Sequence, residues 1–357
     1  MLQADVEVDR REFILRAAIS VAPGERLALF GPSGAGKTTL LEVIAGLVAP
    51  RRGRVELAGR LLTSTGAPVR AVPPWQRRVG LLRQDPGIFP HLSVRANLAY
   101  ARSAGQGSAE LTELAAQLGL DGLLSAMPAR LSGGQLHRVA LGRLLLAHCD
   151  ALLLDEPYTG LDAALRRALT TLVGGLVTER GIPSVLVAHE LADAQAFADR
   201  LAIIDQGVLL QAGPPAQVVL RPASRRVAEL VGYLGFVPVR PAGTAPAGTA
   251  ADGGGGGIVA GIHPERVIAG AHPGRGVVLT GIVTGGRPSG AVWEADLRIG
   301  RAEVTCRLAD RPDDAGGLVV TALDPPCFGA DGAAVEDPAP VPGSGPARRA
   351  WPVQASA

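Results

Sequence analysis

The chain has 357 residues, with 35 basic and 33 acidic side chains for a formal net charge of +2, and 47% of it is hydrophobic. That near balance of charge leaves no electrostatic footprint for nucleic acid, and no apolar run reaches the roughly 20 residues a bilayer-crossing helix needs. Cys149, Cys306 and Cys327 are odd in number and widely spaced, which fits a reducing compartment better than a disulfide framework or a zinc site. The opening MLQADVEVDRREF mixes acids and bases from the start, unlike a secretory signal.

In chain order, residues 26–30 (RLALF) read as a buried strand, 31–39 (GPSGAGKTT) as a phosphate loop, and 40–45 (LLEVIA) as the helix that follows. The loop glycines let successive N–H groups turn inward, so Ser33, Gly34, Ala35, Gly36, Lys37, Thr38 and Thr39 are expected to cradle polyphosphate largely through main chain. Lys37 is expected to reach the β- and γ-phosphates, and the Thr38 hydroxyl to ligate Mg²⁺. The pairs Arg51-Arg52 and Arg77-Arg78 read as solvated loop or rim residues.

Further on, LSGGQ (131–135) leads into a helix expected over 135–147. A Ser-Gly-Gly turn at a helix start offers a hydroxyl and closely approachable N–H groups, so Ser132, Gly133, Gly134 and Gln135 form a second phosphate-binding surface. One chain does not need two. The same residues also fit an ordinary N-cap with Ser132 as the capping side chain. Residues 151–154 read as another buried parallel strand, ending in two carboxylates at the carboxyl edge of the sheet. Asp155 is expected to orient the Mg²⁺ shell and Glu156 to polarise the attacking water. A third apolar strand, 185–188, ends at His189.

After Gly235 the composition changes. Residues 236–257 are rich in Pro, Ala and Gly and read as a flexible linker. Residues 258–328 return to short β-like segments broken by Gly and Pro, enough for a small barrel of roughly 70 residues. Residues 329–357 read as a disordered tail carrying a lone Trp351. The expected fold is therefore an α/β P-loop NTPase followed by a small all-β, OB-like barrel.

The phosphate loop, LSGGQ and the Asp155-Glu156 strand end, in this order, resemble the ATP-binding subunits of ABC transporters over about residues 1–235, an ATPase core with a helical subdomain. The resemblance implies that Gln84 bridges Mg²⁺ and a transmembrane partner, that Asp162 in TGLD (159–162) belongs to the D-loop, and that His189 is the switch histidine at the γ-phosphate. Catalysis would then rest on Glu156, His189 and Gln84, with Thr38, Gln84 and Asp155 around Mg²⁺. Phe13 stands where the family stacks an aromatic ring on adenine, and reads equally as a core residue of an early strand. Arg83 stands where an aromatic commonly precedes the Q-loop glutamine.

By the same resemblance, Ser132, Gly133 and Gly134 of one subunit close over the γ-phosphate held at Lys37 of another, giving a homodimer with ATP at the interface that hydrolysis weakens. The membrane domain would be separate permease subunits, docked near 85–100, where Ile88, Phe89 and Leu92 look exposed and apolar. A periplasmic or lipid-anchored substrate-binding protein would act indirectly, and the chain would lie peripherally on the cytoplasmic face of the cell membrane.

Ile262-His-Pro-Glu-Arg266 resembles the opening of the accessory (TOBE-like) barrel of importer ATPases, with His263 replacing the usual Arg. Residues 77–98 and the single compact barrel look most like the molybdate importers. Sulfate, iron, polyamine and sugar import stay open, because that region reports on the permease family more than on the cargo. ABC-type ATPases of DNA repair insert long coiled-coil arms ahead of the signature, and no sustained heptads lie between Lys37 and Ser132. A non-transport ATPase acting on nucleic acid or the ribosome is accordingly the remote alternative.

Overall fold

The computed structural model describes residues 1–101, 108–239, 258–269, 276–290, 292–299, 302–309, 317–323 and 325–335. The chain divides into two compact units, Met1–Ala216 and Gln217–Ala357.

Eleven strands of the first unit form one sheet: β1 (Leu2–Asp9), β2 (Ile14–Val21), β3 (Arg26–Phe30), β4 (Arg52–Leu57), β5 (Arg60–Ser64), β6 (Arg70–Ala71), β7 (Val79–Leu82), β8 (Ala151–Asp155), β9 (Ser184–Ala188), β10 (Arg200–Asp205) and β11 (Val208–Gly213). Their spatial order is β6-β5-β4-β1-β2-β11-β10-β3-β9-β8-β7. Along β1 burial alternates, with Leu2, Ala4, Val6 and Val8 inward, the pattern of a strand with one face on a core. By contrast β8 and β9 are buried at every residue, as parallel strands covered on both faces must be. Strands β10, β3, β9, β8 and β7 run parallel, so their carboxyl ends share one edge.

The helices of this unit are α1 (Lys37–Ala45), α2 (Val94–Tyr100), α3 (Ser108–Gln117), α4 (Gly133–Leu146), α5 (Ala163–Arg180) and α6 (Leu191–Phe197), and α7 (Pro215–Leu220) spans the division between the units. Helix α4 starts two residues before the expected Gln135 because Ser132 and Gln135 make a capping box. The Gln135 N–H donates to Ser132 Oγ (3.3 Å) and the Ser132 N–H to Gln135 Oε1 (2.8 Å).

Arg77 corrects the reading of its pair as solvated. It is only 4% exposed. Its Nε donates to Val72 O (2.7 Å), one terminal nitrogen to Val43 O (3.1 Å) and Ile44 O (2.9 Å), and the other to Thr63 Oγ1 (2.8 Å). Val43 and Ile44 lie in the last turn of α1, where the Gly46 N–H already donates to Val43 O at 3.1 Å and Arg77 adds a further donor. The helix ends at Gly46 with φ 84°, and a Cβ there would stand 2.3 Å from Arg77 Nε. The close approach of the guanidinium therefore needs a glycine. Arg51 and Arg78 do lie at the surface, paired with Asp9 and Asp150, each at 3.1 Å.

Among its described residues the second unit holds α8 (Arg225–Leu230) and nine strands: β12 (Gly235–Val239), β13 (Ile258–Ile262), β14 (Val267–Ala269), β15 (Gly276–Ser289), β16 (Val292–Ile299), β17 (Ala302–Leu308), β18 (Gly317–Leu323), β19 (Cys327–Phe328) and β20 (Ala334–Val335). They form a five-stranded sheet, β14-β18-β15-β16-β17, and a four-stranded one, β12-β13-β19-β20. Ala260 and Ile262 from the smaller sheet share one core with Leu279, Leu297, Cys306 and Val320 from the larger. The unit is β-rich, as expected from the sequence, but carries α8 ahead of its first strand.

Its limits differ from the expected ones at both ends. Residues 236–239, read as the start of the linker, belong to β12 and pair with β13 from Gly235↔Ile262 to Val239↔Ile258. Pro238 is tolerated because β12 is an edge strand. At the other end, Ala334–Val335, read as tail, pairs with β19. The remaining linker, 240–257, and the tail from 336 onward with Trp351 lie outside the described residues. Among the described residues, no helix is long and apolar enough to cross a membrane.

Candidate active site

The parallel strands bring four loops to one edge. The phosphate loop leaves β3, Asp155-Glu156 ends β8, His189 follows β9, and Gln84 follows β7. Within the sheet β3 neighbours β9, β9 neighbours β8, and β8 neighbours β7. The pairings Phe30↔Ala188, Asp155↔Val187 and Leu82↔Leu154 set Gly31, His189, Glu156 and Gln84 at nearly one level.

Gly36 caps α1 with φ 101° and no side-chain partner, so the first N–H groups of the helix face the loop and suit an anion. Lys37 is 8% exposed, and its Nζ donates to the Gly31 and Pro32 carbonyls, both at 2.8 Å. Burial lowers the pKa of this ammonium, while Glu156 and Asp155 oppose the shift. A cation held against neutral carbonyls in a half-desolvated loop is short of an anionic partner.

Asp155 shows the complementary need. It is 2% exposed, and its Oδ2 accepts from Thr38 Oγ1 at 2.9 Å, while Oδ1 is buried with no partner among the described residues. Burial, the largest influence, raises its pKa above the usual carboxylate range, against the Thr38 hydrogen bond. A buried carboxylate oxygen with nothing bonded to it, beside a hydroxyl, fits the oxygen-ligand preference of Mg²⁺. Thr38 and Asp155 could hold such an ion.

The sign of the Asp155 shift gives a prediction. The folded chain holds that proton more tightly than the unfolded chain, so this group's stabilisation is complete below the unfolded carboxyl value of ~3.9 and is lost as pH rises through the raised value. Asp155→Asn is expected to remove this loss and to make the nucleotide-free protein more stable at neutral pH by about 1–2 kcal/mol. The stabilisation conferred by nucleotide with Mg²⁺ should vanish in the same variant. Urea melts of both proteins at acid and neutral pH, with and without Mg-nucleotide, check it; an identical pH profile would refute the assignment.

Glu156 adopts φ 50°, in the left-handed region that non-glycine residues seldom occupy, and its N–H donates to Val187 O at 3.1 Å. That turn presents its carboxylate to a cavity of about 270 Å³ shared with Tyr158, Arg166, His189, Glu190 and Asp193. Glu156 and His189 thus meet in one space. Gln84 is exposed, two residues beyond β7.

Phe13 is half-buried. It lies one residue ahead of β2 and not within a strand, packs on the main core and borders both Gly36 and Gly207, beside the phosphate loop. Ser132 and Gln135 are engaged with each other, and Gly133 and Gly134 form the first turn of α4. Asp162 is the N-cap of α5, its Oδ1 accepting from Ala164 N (3.0 Å) and Leu165 N (2.9 Å), and those backbone bonds hold its pKa down.

The loop after Gln84 is less exposed than expected: Ile88, Phe89 and Leu92 are all half-buried. Sequence reasoning missed what holds it. Asn97, fully buried on α2, donates to the carbonyls of Phe89 (3.1 Å), Leu92 (2.9 Å) and Ser93 (3.1 Å), and accepts from Phe89 N (3.0 Å). Arg143 of α4 donates to Gly87 O (2.8 Å) and lies over the Phe89 ring, 5.0 Å from its centre. The available signal was an amide at an apolar helix position, between Val94 and Leu98. Tyr158 was missed too; it is 3% exposed, and burial pushes its phenol pKa upward.

Residues 15–159 match a family model described as ABC transporter. The chain is 41% identical over 226 residues to the Fe(3+) ions import ATP-binding protein FbpC of Pseudomonas fluorescens, covering 62% of this chain and 63% of that protein. It is 42% identical over 236 residues to the Molybdenum import ATP-binding protein ModC of Mycobacterium tuberculosis, covering 64% and 63%. The matched part is thus less than two thirds of either relative. Among solved structures, an ATP binding subunit of an ABC transporter superposes with TM-score 0.53 at 27% identity, over 65% of this chain and 95% of that one. A dimeric ATP-binding cassette in a post-hydrolysis state with ADP and Pi gives TM-score 0.52 at 24% identity, over 60% and 99%.

Proposed function

We propose that this chain, whose first unit has the fold of an ABC transporter ATPase domain, is the ATP-hydrolysing subunit of an ABC importer. The observation that carries the reading is the pairing of a partner-poor Lys37 ammonium with an orphaned, buried Asp155 oxygen at the edge shared by Glu156, Gln84 and His189. In this reading Lys37 and the N–H groups of residues 33–39 bind the phosphates of ATP, and Phe13 borders the adenine. Thr38, Asp155 and Gln84 would hold Mg²⁺, which would supply neutralising charge to the phosphates. Glu156 accepts a proton from the attacking water, and His189 donates to the terminal phosphate.

Ser132, Gly133, Gly134 and Gln135, with Asp162, face a second subunit in a homodimer with ATP at its interface. Separate permease subunits dock at the loop held by Asn97 and Arg143, on the cytoplasmic face of the membrane, and a substrate-binding protein delivers the cargo to them. The β-rich second unit serves as the accessory barrel. Molybdate is the proposed cargo and iron the alternative, in line with the names of the two relatives.

The test is Mg-ATP hydrolysis by the full chain, with and without DNA or RNA. Steady turnover insensitive to nucleic acid is expected. Absence of turnover sinks the ATPase reading, and strong stimulation by nucleic acid favours the non-transport alternative. Thermal melts of the full chain with molybdate, tungstate or ferric ion address the cargo, since a ligand bound only by the folded state raises the apparent stability. A shift with molybdate and tungstate alone supports the oxyanion; a shift with ferric ion alone replaces it with iron.

A further inference from the structure

The cavity between Glu156 and His189 contains a cation that the proposed chemistry does not use. Arg166 sits in the first turn of α5, its N–H donating to Asp162 O at 3.0 Å. Its guanidinium reaches across to the segment after β9. One terminal nitrogen donates to Glu190 Oε2 at 2.9 Å and to both carboxylate oxygens of Asp193 at 3.3 Å, and the other to Leu161 O at 3.4 Å. Glu190 adjoins His189 and caps α6, and Asp193 lies in the first turn of that helix. A planar guanidinium gripping two carboxylates and a carbonyl fixes orientation in a way that a point charge cannot.

We infer that Arg166 is a positioning residue: it fastens the His189 segment to the start of α5 and so sets where the imidazole stands relative to Glu156. The inference rests on the ATPase reading above. Because Asp162 and Arg166 occupy a single helical turn, displacement of residues 160–162 carries the guanidinium with it. Glu190 and Asp193 then carry His189. The rigid part of this path is short, comprising one turn of α5, three charged side chains and the first turn of α6.

The test uses the full chain and compares wild type with Arg166→Ala, Arg166→Lys, Asp193→Asn and the double variant Arg166→Ala with Asp193→Asn. Turnover and KM for Mg-ATP are measured alongside thermal melts. Arg166→Ala is expected to lower kcat by about 10- to 100-fold, the scale of a misplaced catalytic group. KM should stay within about twofold of wild type, because no phosphate contact is touched. Arg166→Lys should recover part of kcat, and the double variant should be no slower than Arg166→Ala, since both changes cut one link. An unchanged kcat in Arg166→Ala, or kcat losses that simply multiply in the double variant, overturns the inference. So does a lower melting temperature with normal kcat per folded subunit, the mark of a purely structural ion pair. Should Arg166→Ala not fold, Arg166→Lys and Asp193→Asn carry the same comparison. A wild-type protein that does not hydrolyse ATP removes the ATPase reading itself, an outcome distinct from all of these.

Discussion

Glu156→Gln is expected to slow Mg-ATP turnover by about 10²- to 10⁴-fold, the range associated with loss of a general base, while the protein continues to bind nucleotide. Glutamine keeps the size and hydrogen-bonding reach of the carboxylate but cannot take a proton from water. The phosphate-binding groups are separate from it: Lys37 is anchored on the Gly31 and Pro32 carbonyls, and Thr38 on Asp155. The backbone at 156, held by its bond to Val187 O, accepts glutamine as it accepts glutamate. With ATP bound and not consumed, the interface charge persists, so the variant should accumulate as a dimer in Mg-ATP. Phosphate release and light scattering on the same sample check both halves. A variant that remains monomeric with Mg-ATP would falsify the head-to-tail dimer, and one that turns over normally would remove Glu156 from the chemistry.

The largest expected loss of stability is at Arg77. Arg77→Ala removes four hydrogen bonds, three of them to carbonyls, and leaves a cavity and acceptors short of a donor, although Val43 O keeps the Gly46 N–H. A cost of about 3–4 kcal/mol follows from unsatisfied buried groups together with lost volume. Burial lowers the pKa of this guanidinium, and its bonds go to carbonyls and a hydroxyl, so its planar geometry is what the site uses. Arg77→Lys should therefore recover little, because an ammonium cannot span carbonyls of α1, Val72 and the Thr63 hydroxyl together. The urea midpoint should fall with an unchanged slope in the transition of the first unit. Since α1 carries Lys37 and Thr38, ATP affinity should fall with it. A change within about 0.5 kcal/mol, typical of surface positions, would return Arg77 to the solvated reading.

The contrast between Arg77 and Lys37 marks what the sequence makes legible. Lys37 sits in a motif whose flanking strand and helix are both written in hydropathy, and β3 forms over the expected residues. The ends of β8 and β9 were equally readable, since a fully buried strand is a continuous apolar run that stops where the sheet edge begins. Arg77 reads as solvated because its four acceptors come from separated segments, Val43 to Ile44, Thr63 and Val72, that only the fold assembles. Asn97 and Arg166 escaped for the same reason, as their partners are loop carbonyls or carboxylates from other elements. At β12 the error ran the other way. Pro238 and the glycines around it signalled a linker, yet an edge strand has no need of the proline N–H.

Ser132 and Asp162, the residues proposed to reach toward a second subunit, are both occupied within their own chain. Each caps a helix, α4 or α5. A solitary subunit thus carries no raw polar edge there that demands a companion, and can wait alone without penalty at those two positions. The caps use Ser132 Oγ and Asp162 Oδ1 as acceptors, so the Ser132 hydroxyl hydrogen can still be donated to an anion while its cap stays made. In the proposed dimer both helix starts would already stand in capped form before the subunits meet and would need no rebuilding once they part.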